Sequence, residues 1–388
     1  MVEASRAYLD YNATAPLRAE AASALVEALG ACGNASSVHA EGRAARGRIE
    51  AAREAVAALV GADPKGVIFT SGGSEANALA LSPGFHRPGE RAPEVLLVSA
   101  GEHPCVLEGH RFPDGAVAVL PLDSRGVVDL DALAARLAAI APRRALVSIQ
   151  AANNETGVIQ PIAEAAAIAR VHGATIHCDA VQAPGRIAVD MAALGLDALS
   201  LSAHKIGGPQ GVGALVLADD SIRLDRLVRG GGQERGRRAG TEPVAAISGF
   251  GAAARALLAQ GEGEIARILG LRDRLEAAIR NHAPQAFVFG DGAARLPNTV
   301  AFAVPGLRAE IALIDFDLKG VALSSGSACS SGKVKASHVL AAMGVEPALA
   351  ACALRASLGH ASTEADVIRF ASALEDLMRR RDRGARAA

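Results

Sequence analysis

Val67-Ile68-Phe69-Thr70-Ser71-Gly72-Gly73-Ser74 decides the fold. Apolar and β-branched residues follow one another without polar alternation, which predicts a short strand buried on both faces. The small, glycine-containing turn after it predicts the start of a helix, with Ser71 or Ser74 as a cap. Before it, Glu41 to Val60 has the alanine-rich, mixed-charge composition of a surface helix. After it, the short apolar run recurs at Val95 to Ser99, Ala145 to Gln150, Thr175 to Cys178, Ala198 to Ser202 and Gly213 to Ala218. Helical stretches at Leu130 to Ile140 and Ile162 to Val171 lie between several of these runs. Strands and helices alternating in this way predict an α/β fold with a mostly parallel sheet covered on both faces. Ligands of such sheets bind beyond the carboxyl ends of the strands.

The Gly- and Arg-rich stretch from Arg226 to Thr241 interrupts the pattern. Two long helices are expected after it, Val244 to Leu258 and Glu264 to His282. A second set of elements follows: a strand near Thr299 to Val304, a helix near Glu310 to Lys319 and a last helix from Thr363. Arg379 to Ala388 reads as a frayed basic tail. A chain of 388 residues suggests two domains, and we expect the boundary near Gln260, between a large domain 15–260 and a smaller α/β domain 261–388. With 50% hydrophobic residues, 21% charged residues and a net charge of -1, the composition is that of an ordinary globular protein. That charge offers nothing to nucleic acid or to an anionic membrane. No apolar run reaches the roughly 18 residues that cross a bilayer. Met1 to Tyr11 contains acids and lacks an apolar signal core, so the expected location is cytoplasmic.

Polar residues just beyond strand ends are the first candidates for chemistry. Lys205 follows the run ending at Ser202 and precedes glycines, a setting in which an amine can form a Schiff base with an aldehyde cofactor. Taken alone it reads more readily as a surface lysine in a turn. Asp179 ends the strand Thr175 to Cys178 and would supply the negative partner of a pyridinium nitrogen. The turn Thr70 to Glu75 would offer backbone N–H groups and a positive helix end to a phosphate. His103 could stack on a ring and shuttle protons near neutral pH. Arg355 could clamp a carboxylate or form an ordinary salt bridge.

Cys32, Cys105, Cys178, Cys329 and Cys352 form no CxxC pair, so neither a disulfide framework nor a zinc site is read from their spacing. Cys178, in an apolar strand, and Cys352, in an alanine-rich helix, read as small buried hydrophobes. Cys32 and Cys105 carry no assignment. Cys329 stands apart, because Val321 to Gly332 surrounds it with small residues and suits a reactive thiol.

These segments together resemble the cysteine desulfurases, in particular the group I branch of these class V aminotransferase-like enzymes. The likeness runs through Tyr8 to Thr14, Gly33 to His39, Thr70 to Glu75, Gly101 to Pro104, Asn153 to Gly157, His177 to Gln182, Ser202 to Lys205, Glu234 to Gly236 with Gly240-Thr241, and Ser324 to Ser330. The resemblance implies a fold type I pyridoxal-phosphate enzyme, a homodimer whose large domain holds a seven-stranded sheet, with segment 1–14 joining the small domain. It implies that Lys205 bears pyridoxal 5'-phosphate as an imine and that Asp179 faces the ring nitrogen. Gln182 and Asn154 would hydrogen-bond around the phenolic oxygen and the substrate, and His103 would stack on the ring. Gly73, Ser74, Ser202 and His204 would hold the phosphate, with Thr241 reaching in from the other subunit. Asn34 and Arg355 would hold the carboxylate of L-cysteine. Cys329 would take the sulfur as a persulfide, leaving L-alanine, and would pass it to an acceptor such as an iron–sulfur scaffold. No resident metal is implied, although the Cys329 persulfide would be a transient ligand to a cluster.

The chain departs from the family at Gly207, commonly tyrosine, at Gln210, commonly lysine, and at Ala356, commonly phenylalanine. It also ends soon after its last helix. An aminotransferase or a selenocysteine lyase of the same fold is the alternative, and an aminotransferase has no use for a cysteine like Cys329.

Overall fold

The computed structural model describes residues 6–325 and 336–387. The larger sheet contains β1 (Val67–Thr70), β2 (Val95–Ser99), β3 (Val117–Leu120), β4 (Ala145–Ser148), β5 (Thr175–Asp179), β6 (Ala198–Ser202) and β7 (Gly213–Leu217). Their order across the sheet is β1-β7-β6-β5-β4-β2-β3. Neighbours from β6 to β3 pair in parallel, whereas β7 runs antiparallel to both β1 and β6. Every residue of β1, β2, β4, β5, β6 and β7 is buried, as uninterrupted apolar runs require when helices cover both faces. The strand of this sheet that the sequence reading missed is β3, whose short apolar run Val117–Leu120 lies at the sheet edge with only Leu120 buried.

Gly213 shapes the site end of this sheet. A Cβ there would come within 2.6 Å of both the Gly72 carbonyl carbon and the Leu201 carbonyl oxygen. Only glycine lets the turn after β1 fold down beside β6.

The smaller sheet is antiparallel, in the order β10 (Ser324–Ser325), β11 (Ala353–Ser357), β9 (Thr299–Ala303), β8 (Phe287–Val288). The N-terminal segment packs with it. Ala7–Tyr8 pairs in parallel with Val321–Ala322, and the Asn12 N–H donates to Ser357 Oγ at 2.9 Å.

The two expected long helices form one span, Val244–His282, broken at Gly261, where φ 62° and ψ −163° are non-helical. Ile247, Phe250 and Ala253 lie in the core of the larger sheet, while Ile268, Leu271 and Leu275 lie in that of the smaller one. By length and apolarity this helix could cross a bilayer, but these residues are buried in protein. Two further expectations are corrected. The last helix runs from Glu364 to Ala387 instead of fraying at Arg379, because Arg379 pairs with Glu375 at 2.6 Å and Arg380 pairs with Asp315 on a neighbouring helix. Cys352 is buried as expected, but it sits in the turn between the short helix Pro347–Ala350 and β11, packed in a cluster with Phe289 and Met343.

Candidate active site

A cavity of about 600 Å³ opens beyond the carboxyl ends of the larger sheet, walled on its far side by Asp10, Leu323, Ser324 and Arg355. β5 delivers Asp179 to it. Asp179 Oδ2 accepts a hydrogen bond from Asn77 Nδ2 at 2.8 Å, and Oδ1 accepts from the Val181 N–H at 3.0 Å. Two donors on one buried carboxylate hold its plane fixed.

β6 ends at Ser202, and the tight turn Ala203–Lys205 carries the next two polar side chains. Lys205 Nζ donates to the carbonyl oxygens of Asn12 and Ala13, the latter at 2.8 Å. Burial, and then the positive charges of Arg186 and Arg355, push its amine down to about 7. His204 Nδ1 meets Thr14 Oγ1 at 3.2 Å, and burial, together with the neighbouring Lys205 charge, lowers its imidazole to about 4.

Gly73 and Ser74 line the cavity at the start of the helix Gly73–Ala80. No side chain caps this helix at Gly72, so its first N–H groups are available to a ligand. A Cβ on Gly73 would lie 2.8 Å from Val181 Cγ2, so this close approach also needs glycine. His103 caps the short helix Pro104–Leu107: its Nδ1 accepts the Cys105 N–H at 3.2 Å and lies 3.0 Å from Cys105 Sγ. Burial lowers the His103 pKa. With Nδ1 accepting from the backbone, the neutral ring carries its proton on Nε2. Burial raises the Cys105 thiol to about 11, which keeps it protonated.

Asn154 and Gln182 also line the cavity. Arg355 donates from Nη1 to the Asn154 carbonyl at 2.9 Å and from Nη2 to Asp10 Oδ1 at 2.6 Å. It therefore makes the salt bridge and still lines the cavity, with a buried Nε that has no partner among the described residues. Asn34 is different. It is exposed, its Oδ1 accepts the Ser36 N–H at 2.9 Å, and it does not reach the cavity of its own chain. Thr241 is exposed outside that cavity too. Cys329 lies outside the described residues. The chain leaves the cavity wall at Ser325 on one side of it, and on the other Ser337 Oγ donates to Glu155 Oε2 while His338 Nε2 donates to the Glu102 carbonyl at 2.8 Å.

Asn77, Asp10, Asn12 and Gln150 join the cavity without having been singled out in the sequence. A signal existed for Asn77: it sits one helical turn after Gly73, on the same face. The departures have structural settings as well. Gly207 has φ +81°, and a Cβ there would lie 2.6 Å from Arg18 Cγ. The Arg18 side chain fills that space and donates from Nε to the Ile206 carbonyl at 2.9 Å. Ala356 is buried in the core of the smaller sheet, and Gln210 is exposed.

This donor set fits pyridoxal phosphate. The uncapped helix start with Ser74, Ser202 and His204 suits a dianion, the fixed Asp179 carboxylate suits a ring N–H, and the Lys205 amine is near neutrality for reaction with an aldehyde.

The sequence matches the class V aminotransferase family over residues 7–370. A cysteine desulfurase of Sinorhizobium fredii is 42% identical over 369 residues, covering 93% of this chain and 94% of that protein. An IscS-like cysteine desulfurase of Mycobacterium tuberculosis is 41% identical, covering 98% of each. Among solved structures, a NifS-like protein from Rickettsia africae superposes with a TM-score of 0.86 at 34% identity, covering 96% of this chain and 99% of that one. SspA in complex with cysteine gives a TM-score of 0.74 at 30% identity, covering 90% and 98%. Likeness of this length and closeness makes the chain a member of the class V aminotransferase family, among the cysteine desulfurases.

Proposed function

We propose that the protein takes sulfur from L-cysteine, releases L-alanine and carries the sulfur as a persulfide on Cys329 before passing it to an acceptor protein, such as an iron–sulfur scaffold. The observation that carries this reading is the Lys205 amine, held near neutrality in a cavity that also presents the fixed Asp179 carboxylate and the Arg355 guanidinium. The family is pyridoxal-phosphate dependent, and the bound cofactor supplies an electron sink for bond breaking next to the substrate amine.

The chain's own groups do the rest. Asn77 and the Val181 N–H fix the plane of Asp179, which would face the ring nitrogen of the cofactor. Lys205, with its pKa near 7, gives and takes a proton at Nζ close to physiological pH. His103, its Nδ1 taken by the Cys105 N–H, holds its proton at Nε2 and would stack on the cofactor ring. Arg355 orients the substrate carboxylate. Cys329 Sγ bonds to the substrate sulfur as that sulfur's bond to carbon breaks, and the carbon fragment gains a proton and leaves as alanine. The SspA structure with cysteine supports this substrate.

Cys329→Ser tests the reading. A serine hydroxyl is a poor substitute for a thiolate, so this variant keeps cofactor and shows a spectral change with L-cysteine. It forms almost no alanine or sulfide, and mass spectrometry finds no persulfide. Near-normal alanine production by the folded variant would sink the assignment.

A further inference from the structure

Arg186 is a buried guanidinium that no carboxylate balances among the described residues. Its partners are neutral oxygens: the Gln182 carbonyl at 3.2 Å, Gln182 Oε1 and the Tyr11 carbonyl at 3.5 Å. A guanidinium has donors and no acceptor, so it admits one orientation of the Gln182 amide, oxygen towards Arg186 and nitrogen away. Gln182 Nε2 then donates to the Asn12 carbonyl at 3.1 Å, the same oxygen that accepts from Lys205 Nζ. The amide's second N–H remains for the cavity that Gln182 lines. A continuous chain of contacts thus runs from Arg186 through Gln182 and Asn12 to the reactive amine.

We propose that Arg186 is a positioning residue for the reaction: it sets Gln182 to donate into the cavity, and its unbalanced charge acts on the amine of Lys205. A buried positive charge without a counter-ion is costly, and its retention here is explained if it serves the anionic cofactor. Six charged or titratable groups face or adjoin Lys205, among them His103 across the cavity, whose pKa burial lowers. Arg186, in the turn after β5, and Arg355, on β11, disfavour its protonation, whereas Asp10, from the N-terminal segment, and Asp179, at the end of β5, favour it. His204 is its chain neighbour, held neutral near physiological pH. Arg186 is the one of the two arginines without a paired carboxylate, since Arg355 is bonded to Asp10.

The inference rests on Lys205 being the cofactor-bearing lysine, so its test reads the lysine nitrogen, not turnover. The visible band of full-length holoprotein is titrated with pH in wild type, Arg186→Met, Arg186→Lys and Gln182→Glu. Removing the charge in Arg186→Met, or balancing it in Gln182→Glu, raises the apparent pKa by about one unit. Arg186→Lys keeps the charge and stays close to wild type. Gln182→Glu also cannot donate to the cofactor and retains it about fivefold less tightly, the scale of one hydrogen bond. For a variant that holds no cofactor, the same shift is read by ¹³C NMR of the reductively methylated Lys205 amine, assigned with Lys205→Met. Titration unchanged in both Arg186→Met and Gln182→Glu would overturn the proposal, because a merely structural arginine lowers stability without moving this pKa. A wild-type protein that forms no visible band with pyridoxal phosphate would instead sink the functional reading, and the amine measurement would still judge Arg186.

Discussion

Lys205 shows how far burial can move one proton. Its amine falls from the ordinary 10.5 to about 7, mainly by desolvation. Between those values the unfolded chain binds a proton that the folded chain does not, so stability rises with pH across that window. The Cys105 thiol, raised to about 11, works in the opposite sense only above its ordinary value of 9.0. We therefore expect the melting temperature of cofactor-free protein to rise between pH 7 and 9 relative to that of Lys205→Met. Parallel melting curves for the two proteins over that range would contradict this. Lys205 and Asp179 were legible in the sequence because each follows an apolar run whose end marks a strand end. Arg186 was not, since nothing in a loop arginine reveals that folding will bury it. Asn34 was legible only through its motif, which fixes a residue's identity but not which cavity its side chain reaches.

Among the elements, the runs of β1, β2, β4, β5, β6 and β7 were legible because strands buried on both faces leave an uninterrupted apolar signature. Strand direction carries no such signature, so the antiparallel β7 had to be seen. The stretch from Arg226 to Thr241, which interrupts the strand–helix pattern in the sequence, holds a buried anchor. Glu234, at φ 48°, accepts from Arg53 at 2.8 and 3.0 Å and from the Phe69 N–H at 3.0 Å. The Arg53 guanidinium also lies 4.9 Å over the Phe69 ring. A second tie joins Arg238 to Glu75 at 2.9 Å, on the helix that starts at Gly73. Glu234→Ala leaves the buried Arg53 with only the half-exposed Glu50 as a carboxylate partner, so urea unfolding should show a loss of about 3 kcal/mol. A change within about 0.5 kcal/mol, the range of ordinary surface substitutions, would mean that the loop is only loosely attached.

At the scale of the whole molecule, the exposed Thr241 ends this anchored loop, outside the cavity of its own chain. We expect a homodimer in which Thr241 completes the partner's phosphate site. Light scattering should find two chains, and Thr241→Ala should retain cofactor about fivefold less tightly, again the scale of one hydrogen bond. A monomer that is fully active when dilute would refute this.

The N-terminal segment has a bearing on biosynthesis. Asp10 and Arg355 are paired across 345 residues of sequence, and both wall the cavity. On the ribosome, all seven strands of the larger sheet are made long before β11, so their core can form while Asp10 waits for its partner. Contacts this distant in sequence come late, because their loop must close before any interaction repays it. The wall that would hold the substrate carboxylate is therefore finished only after β11 has been made, later than the residues from Gly73 to Lys205 that would hold the cofactor.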